Sequence, residues 1–428
     1  MATVPRVLVS ALLLSACGDN VPPDAPPQEP GAVTIEVPEG AGAPPFDQPR
    51  TVTVPPGFGM RIVARIPTAR FLAETPEGDL LVSRPAVGEI YRIVDGEAQV
   101  LASGLTKPHD LVFTEINGQT YLYVAEEERI SRAPWTPGIT SRALEVLVDN
   151  LPGNSLPELQ GTYGHALKNI AIKDDTLFVS IASATNADPA DILADPVRGA
   201  VYAYTLDGDG GRLYATGIRN AEGLAIHPRT GDLWVAINHR DNVRYPLQDG
   251  RYPYKELVQE YVNDNPPEPF TRVREGGNYG WPYCNPTAAN GIDDMPYVVD
   301  VDHNEGETTL DCSSLDRIDK GLPAHSAPLG LSFWTGANVP AAYRDSAVIG
   351  LHGCWNCSEP RGYNVTRLAM RADGSFEDPV DLVSGFLTDP TTTSSVWGRP
   401  VDVIPNRAGN LYISDDYAGA VYELYRRD

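Results

Sequence analysis

Basic side chains are scarce in this chain. Its 428 residues carry 33 Lys and Arg against 57 Asp and Glu, a formal charge of -24. A surface of that sign repels polyanions, which argues against nucleic acid and anionic lipid as partners. Long apolar runs are also missing: the stretch from Val7 to Leu14 is too short to span a bilayer. No nucleophile elbow, phosphate loop or dinucleotide fingerprint is present, so the common signatures of acyl transfer, phosphoryl transfer and nicotinamide chemistry are absent. Cysteine is limited to five and histidine to seven. Each one that recurs at a patterned position therefore carries weight.

What is present begins with an export signal. Arg6 precedes the apolar run, and small residues Ser15 and Ala16 stand before Cys17. Leu14-Ser15-Ala16-Cys17 resembles a bacterial lipobox, which makes residues 1–16 a lipoprotein signal peptide and Cys17 the lipidated first residue of the mature chain. The expected location is that of an exported bacterial lipoprotein, in the periplasm, at the outer membrane or on the cell surface, with membrane contact through that lipid only. Residues 17–50, rich in Pro and poor in aromatics, read as an extended tether, and the folded domain is expected over 51–428. Removing Cys17 leaves four cysteines in an oxidising compartment. Cys284 with Cys312 and Cys354 with Cys357 are the expected disulfides. The CxxC of the second pair also has metal-ligand spacing, but the export signal favours the disulfide.

After the tether the chain repeats. Six segments run from Gly or Asp into an apolar strand, a polar patch and a second strand, beginning near Gly78, Gly118, Asp174, Gly231, Asp345 and Gly409. A shorter apolar strand precedes each: ARFLAE, HDLVF, LKNIAI, EGLAI, PLGLSF and PVDVI. The five intervals from Gly78 to Gly409 average about 66 residues, a period that predicts an all-β fold, a six-bladed β-propeller. A β-sandwich offers no reason for sixfold recurrence. The longest interval, Gly231 to Asp345, must hold an insertion.

A propeller gathers the starts of its innermost strands at one face of a central channel. At that position stand His109, His165, Arg219-Asn220, His325 and Arg399. Clustered imidazoles and guanidiniums at a channel mouth imply something anionic bound between them.

GIRNAEGLAIHPRTGDLWVAIN (217–238), EGGNYGWPYC (275–284), HSAPLGLSFWTG (325–336), HGCWN (352–356) and GRPVDVIPNRAGNLYISDDYAGAVYEL (398–424) resemble the glucose/sorbosone dehydrogenase family, in that order along the domain. The resemblance implies an enzyme that oxidises an aldose-type sugar at its anomeric hydroxyl, using pyrroloquinoline quinone (PQQ) and calcium. His165 matches the general base that takes the hydroxyl proton as hydride leaves for the quinone. Arg219 and Asn220 match residues that hold the quinone oxygens, and Arg399 one that pairs with cofactor carboxylate. His325, His352 and Trp355 fall where the family lines the cofactor pocket, with Trp355 expected over its flat face. Calcium is expected on main-chain carbonyls near Arg240 and Asp241.

Three departures stand out. Val401 occupies the place of a second arginine, Cys357 replaces the cation of HGSWNR, and His239 stands where an acidic residue is expected in the calcium loop. Rival readings are a metal-dependent propeller lactonase and a surface propeller that has lost its cofactor. The sequence does not name the sugar, the electron acceptor or the oligomeric state.

Overall fold

The computed structural model describes residue 1 and residues 29–427. The signal peptide, the lipobox and Cys17 lie outside the described residues. The strands form six antiparallel meanders arranged as the blades of a propeller. The innermost strands are Leu72–Glu74, Leu111–Ile116, Asn169–Lys173, Ala221–Ile226, Pro328–Trp334 and Pro400–Pro405. All six coincide with the short apolar segments that the repeat picks out, and neighbouring ones pack against each other around the axis.

Burial follows from this arrangement. Each blade has two faces covered by neighbours, so its strands alternate little and read as apolar runs such as Leu233–Ile237, buried throughout. Six of the apolar clusters each join two adjacent blades. One, for example, sets Leu81 and Ile90 of the first blade against Leu122 and Val124 of the second; another sets Trp234 and Phe270 of the fourth against Ile349 and Leu368 of the fifth. At about 1.5–3 kcal/mol for each fully buried large apolar side chain, these layers are the main favourable contribution to folding.

The ring is closed by the two ends of the domain. Phe58–Arg65 forms the outer strand of the sixth blade, paired antiparallel with Ala420–Arg426 in a register that sets Ile62 opposite Tyr422. Two buried carboxylates stitch inner strands together across blades. Asp110 accepts the backbone N–H of Ile170 at 2.9 Å, and Asp402 that of Leu72 at 2.9 Å. Burial pushes both carboxyls up to about 7. Asp402 needs space: a Cβ on Gly330 would meet its Oδ1 at 2.0 Å, so only glycine fits there.

Part of the segment expected as tether makes contacts with the propeller. Gly31–Thr34 pairs with Thr51–Val54, and Ile35 and Phe46 are buried against the fifth and sixth blades. Proline-rich composition masked these anchors, since a strand of four residues and two isolated apolar side chains leave little periodicity. The insertion in the fourth blade is observed. It holds the helix Gln259–Asp264, a small sheet of Cys284–Pro286 with Tyr297–Val299, and an added strand Asp293–Met295. Disulfides join Cys284 to Cys312 and Cys354 to Cys357, as expected from the sequence.

Candidate active site

The residues just ahead of the inner strands meet the loops that follow the second strands, and together they build one connected set of polar contacts. In the fourth blade, Arg219 is buried and its guanidinium donates to Asn186 O and Oδ1, both at 3.0 Å, and to Asn238 O at 3.1 Å. Asp241 lies 3.5 Å from the same guanidinium and 3.2 Å from His325 Nδ1. Asn220 donates to Glu222 at 3.4 Å. Glu222 pairs with Arg70 at 2.8 Å, and Arg70 reaches Asp416 at 3.0 Å. Asp416 accepts from His352 Nε2 at 2.8 Å, and the His352 and Gly353 carbonyls each accept from Arg399 at 2.8 Å. The path thus runs from His325 to Arg399 through blades four, one, six and five.

His165 stands beside this path. Its Nδ1 is 2.8 Å from Ser183 O and 3.1 Å from Ser183 Oγ, and the Ser183 backbone N–H donates to Arg219 O. A carbonyl only accepts, and the Ser183 hydroxyl donates to Thr185 O, so the proton on a neutral ring sits at Nδ1 and the lone pair at Nε2. Burial, followed by the charge of Arg219, brings the His165 pKa down to about 4. The ring is therefore neutral at pH 7, with an open base position.

The other histidines differ in charge. Burial lowers His109 to about 4; its Nε2 is 3.7 Å from Glu222 and has no hydrogen-bond partner among the described residues. Burial opposes charge on His325, but the hydrogen bond to Asp241 and the nearby Glu268 raise its pKa above the ordinary value. Its Nε2 also meets Val262 O at 2.6 Å and Asn265 O at 3.0 Å. His352 is lowered by burial while Asp416 is held low by His352 and Arg70, which makes this contact a neutral ring donating to a carboxylate.

Beneath the charged layer is an apolar floor of Phe71, Leu329 and Val401, and Phe71 packs on the His109 ring at 4.3 Å. Val401, in place of an arginine, is thus part of this floor. The structure brings His165, Arg219, Asn220, His325, His352 and Arg399, all singled out from the sequence, into or beside this set of contacts. The sequence reading missed Arg70 and Glu222, although Arg70 precedes its inner strand by two residues just as Arg219 does. A charged residue next to a strand reads as solvated until a second one faces it.

Two expectations fare differently. Trp355 is 73% exposed, outside the connected set. In the expected calcium loop, the Asp241 carbonyl accepts from Asn186 Nδ2 at 3.0 Å, and the Asp241 carboxylate serves His325 and Arg219. The Arg240 side chain turns to the insertion, pairing with Asp300 and, at 3.1 Å, Asp302. Among the described residues no group of three or more His, Cys, Asp and Glu is placed to hold a metal.

A family model described as TrAA12-like matches residues 52–427. The chain belongs to that family. A protein of Hypocrea jecorina named pyrroloquinoline quinone-dependent sugar dehydrogenase is 25% identical over 282 residues, 58% of this chain and 59% of its own length. The holo PQQ domain of pyranose dehydrogenase from Coprinopsis cinerea superposes with a TM-score of 0.72 at 18% identity, covering 91% of this chain and all of that one. The calcium structure of the Trichoderma reesei AA12 enzyme gives 0.70 at 19% identity, over 88% and 97%. At these identities the structural likeness establishes the shared propeller.

Proposed function

We propose that this TrAA12-like protein oxidises an aldose-type sugar at its anomeric hydroxyl with PQQ as the acceptor and His165 as general base. The observation that carries the reading is the fixed tautomer of His165, whose Nε2 lone pair is open at the channel face beside Arg219. Two similar proteins, a PQQ-dependent sugar dehydrogenase and the PQQ domain of a pyranose dehydrogenase, support it.

The residues present fit a flat anionic quinone. Arg70 Nε is a buried donor and His109 Nε2 a buried ring nitrogen, both without hydrogen-bond partners among the described residues, and Arg219, Arg399 and the raised His325 add positive charge. Arg219 and Asn220 would hold the quinone oxygens, Arg399 a carboxylate, with His325 and His352 lining the pocket. When bound, PQQ supplies an acceptor for the two electrons and the hydrogen that leave the sugar carbon. The protein's own part is to orient the sugar hydroxyl, take its proton at His165 Nε2, and meet developing negative charge with Arg219, an arginine already fixed by four contacts. Calcium fits more narrowly. Of the two carbonyls expected to hold it, only that of Arg240 is left without a hydrogen bond among the described residues, and it would be joined by cofactor oxygens.

The two disulfides support an oxidising location, and we place the protein outside the cytoplasm, anchored through a lipid on Cys17. Reconstitution tests the function. Purified protein with PQQ and calcium should reduce an artificial electron acceptor when given aldoses, and His165→Ala should lower kcat by roughly 10²–10⁴. Failure to bind PQQ would leave the cofactor-free surface propeller.

A further inference from the structure

Among the described residues two of the exposed large apolar side chains are aromatic: Trp355, 73% exposed, and Tyr417, 58% exposed. Both lie at the channel face. Trp355 is on the loop after the second strand of the fifth blade, Ser346–Leu351, and Tyr417 on the loop after the second strand of the sixth, Leu411–Asp415. Each is close in sequence to one partner of the His352–Asp416 hydrogen bond, so they flank that contact from adjacent blades.

The Trp355 loop is held rigidly although its apex faces water. The Cys354–Cys357 disulfide brackets the indole. The insertion's helix pins the same loop: Asn263 Nδ2 donates to Ser358 Oγ at 2.7 Å, Ser358 N donates to Asn263 Oδ1 at 3.1 Å, Gln259 donates to Asn356 O at 3.3 Å, and Arg361 pairs with Asp264 at 2.8 Å. Fixing an indole in solvent costs free energy that nothing within the chain returns, and a rigid exposed aromatic is what a ligand surface requires. Around it are amides and hydroxyls, Asn356, Asn242, Gln259, Asn263 and Ser358, together with Arg361, whose charge is paired with Asp264 and Glu359. Flat apolar faces edged by hydrogen-bonding groups match a pyranose ring, whose axial C–H face is apolar and whose edge carries hydroxyls.

The geometry points to Trp355 and Tyr417 as a platform for the second and third sugar rings of an oligosaccharide whose reducing-end ring lies at His165. This rests on the sugar-oxidising reading above and sharpens its substrate class from a monosaccharide to a short chain. It also replaces the expectation that Trp355 covers the cofactor.

Two measurements separate the two claims. In the first, PQQ- and calcium-loaded protein is assayed with glucose, cellotriose and maltotriose. The wild type should favour one trisaccharide over glucose by about tenfold in kcat/KM, and Trp355→Ala and Tyr417→Ala should each shrink that ratio about fivefold, through KM. In the second, apo protein is titrated with the same sugars by calorimetry, and trisaccharide binding should be lost in Trp355→Ala. Oxidation of glucose with no chain-length preference overturns the platform and leaves the dehydrogenase reading standing. Trisaccharide binding at Trp355 without oxidation of any sugar keeps the platform and overturns the dehydrogenase reading. A Trp355→Ala variant that loses affinity for PQQ itself, with an unchanged trisaccharide-to-glucose ratio, returns the indole to the cofactor.

Discussion

Two clusters at the channel face have the same ingredients and opposite charge states. In one, Glu222 lies between Arg70 and His109; in the other, Asp241 lies between Arg219 and His325. His109 is lowered to about 4 whereas His325 is raised. A carboxylate is common to both, but the contact differs: His325 has a hydrogen bond to Asp241, Glu268 nearby and two carbonyls at its other nitrogen, whereas Glu222 stays 3.7 Å from His109, whose one hydrogen-bond contact is 3.4 Å to Lys168 O. A buried imidazole is a cation only when both N–H groups have somewhere to donate. His165, with one nitrogen bound and one open, falls with His109 in charge and differs from it in being partly exposed, whereas His109 is fully buried with its Nε2 beside Glu222.

The strongest way to break this comparison is to remove the shared arginine of the first cluster. Arg70→Ala leaves the buried Glu222 and the half-buried Asp416 with fewer partners, and we expect a loss of about 3–5 kcal/mol in denaturant unfolding. An unchanged midpoint would mean that water already screens both carboxylates.

The second cluster is sharpened through Glu268, which accepts the His239 N–H at 2.5 Å and is pushed up to about 7 by burial. The folded state holds this proton where the unfolded chain has lost it, so wild-type stability falls as pH rises from about 4.5 to about 7. Glu268→Gln should relieve that penalty. The variant should match the wild type at pH 5 and exceed it at pH 8 by on the order of 2 kcal/mol, read from thermal melts at both values.

The smallest effects test the histidines directly. The raised His325 contributes stability that is fully present below its unfolded pKa of about 6.5 and is lost as pH rises through its folded value. His325→Gln should therefore cost more at pH 6 than at pH 9. His109 is the reverse: the unfolded chain takes up a proton between about 6.5 and about 4 that the folded ring refuses, so the wild type weakens across that window. His109→Gln should be less acid-sensitive there, read from denaturant unfolding at pH 4 and pH 7. Equal responses of the two variants would remove the distinction.

The repeat made the blades legible, because each inner strand carries its own apolar run between turn residues. The closing strand Phe58–Arg65 was not, since its partner Ala420–Arg426 lies at the other end of the domain and local pattern has no access to that pairing. At the site, His165, Arg219 and Arg399 were visible as rare residues at equivalent repeat positions. Arg70, Glu222 and Asp416 gain meaning only from facing one another across blades, and Asp416 in isolation reads as a turn residue. Trp355 was legible through a motif match, and the structure shows it 73% exposed on its loop.

The central claim is that the ring of blades sets an open imidazole nitrogen beside a bound quinone. Single-turnover reduction of PQQ-loaded protein by an aldose, followed by the quinone absorbance in wild type and His165→Ala, tests it most directly. The account predicts equal PQQ binding by both proteins, rapid reduction in the wild type that slows as pH falls toward about 4, and a variant slower by roughly 10²–10⁴. A variant that reduces its quinone as fast as the wild type, with the same pH profile, would contradict it.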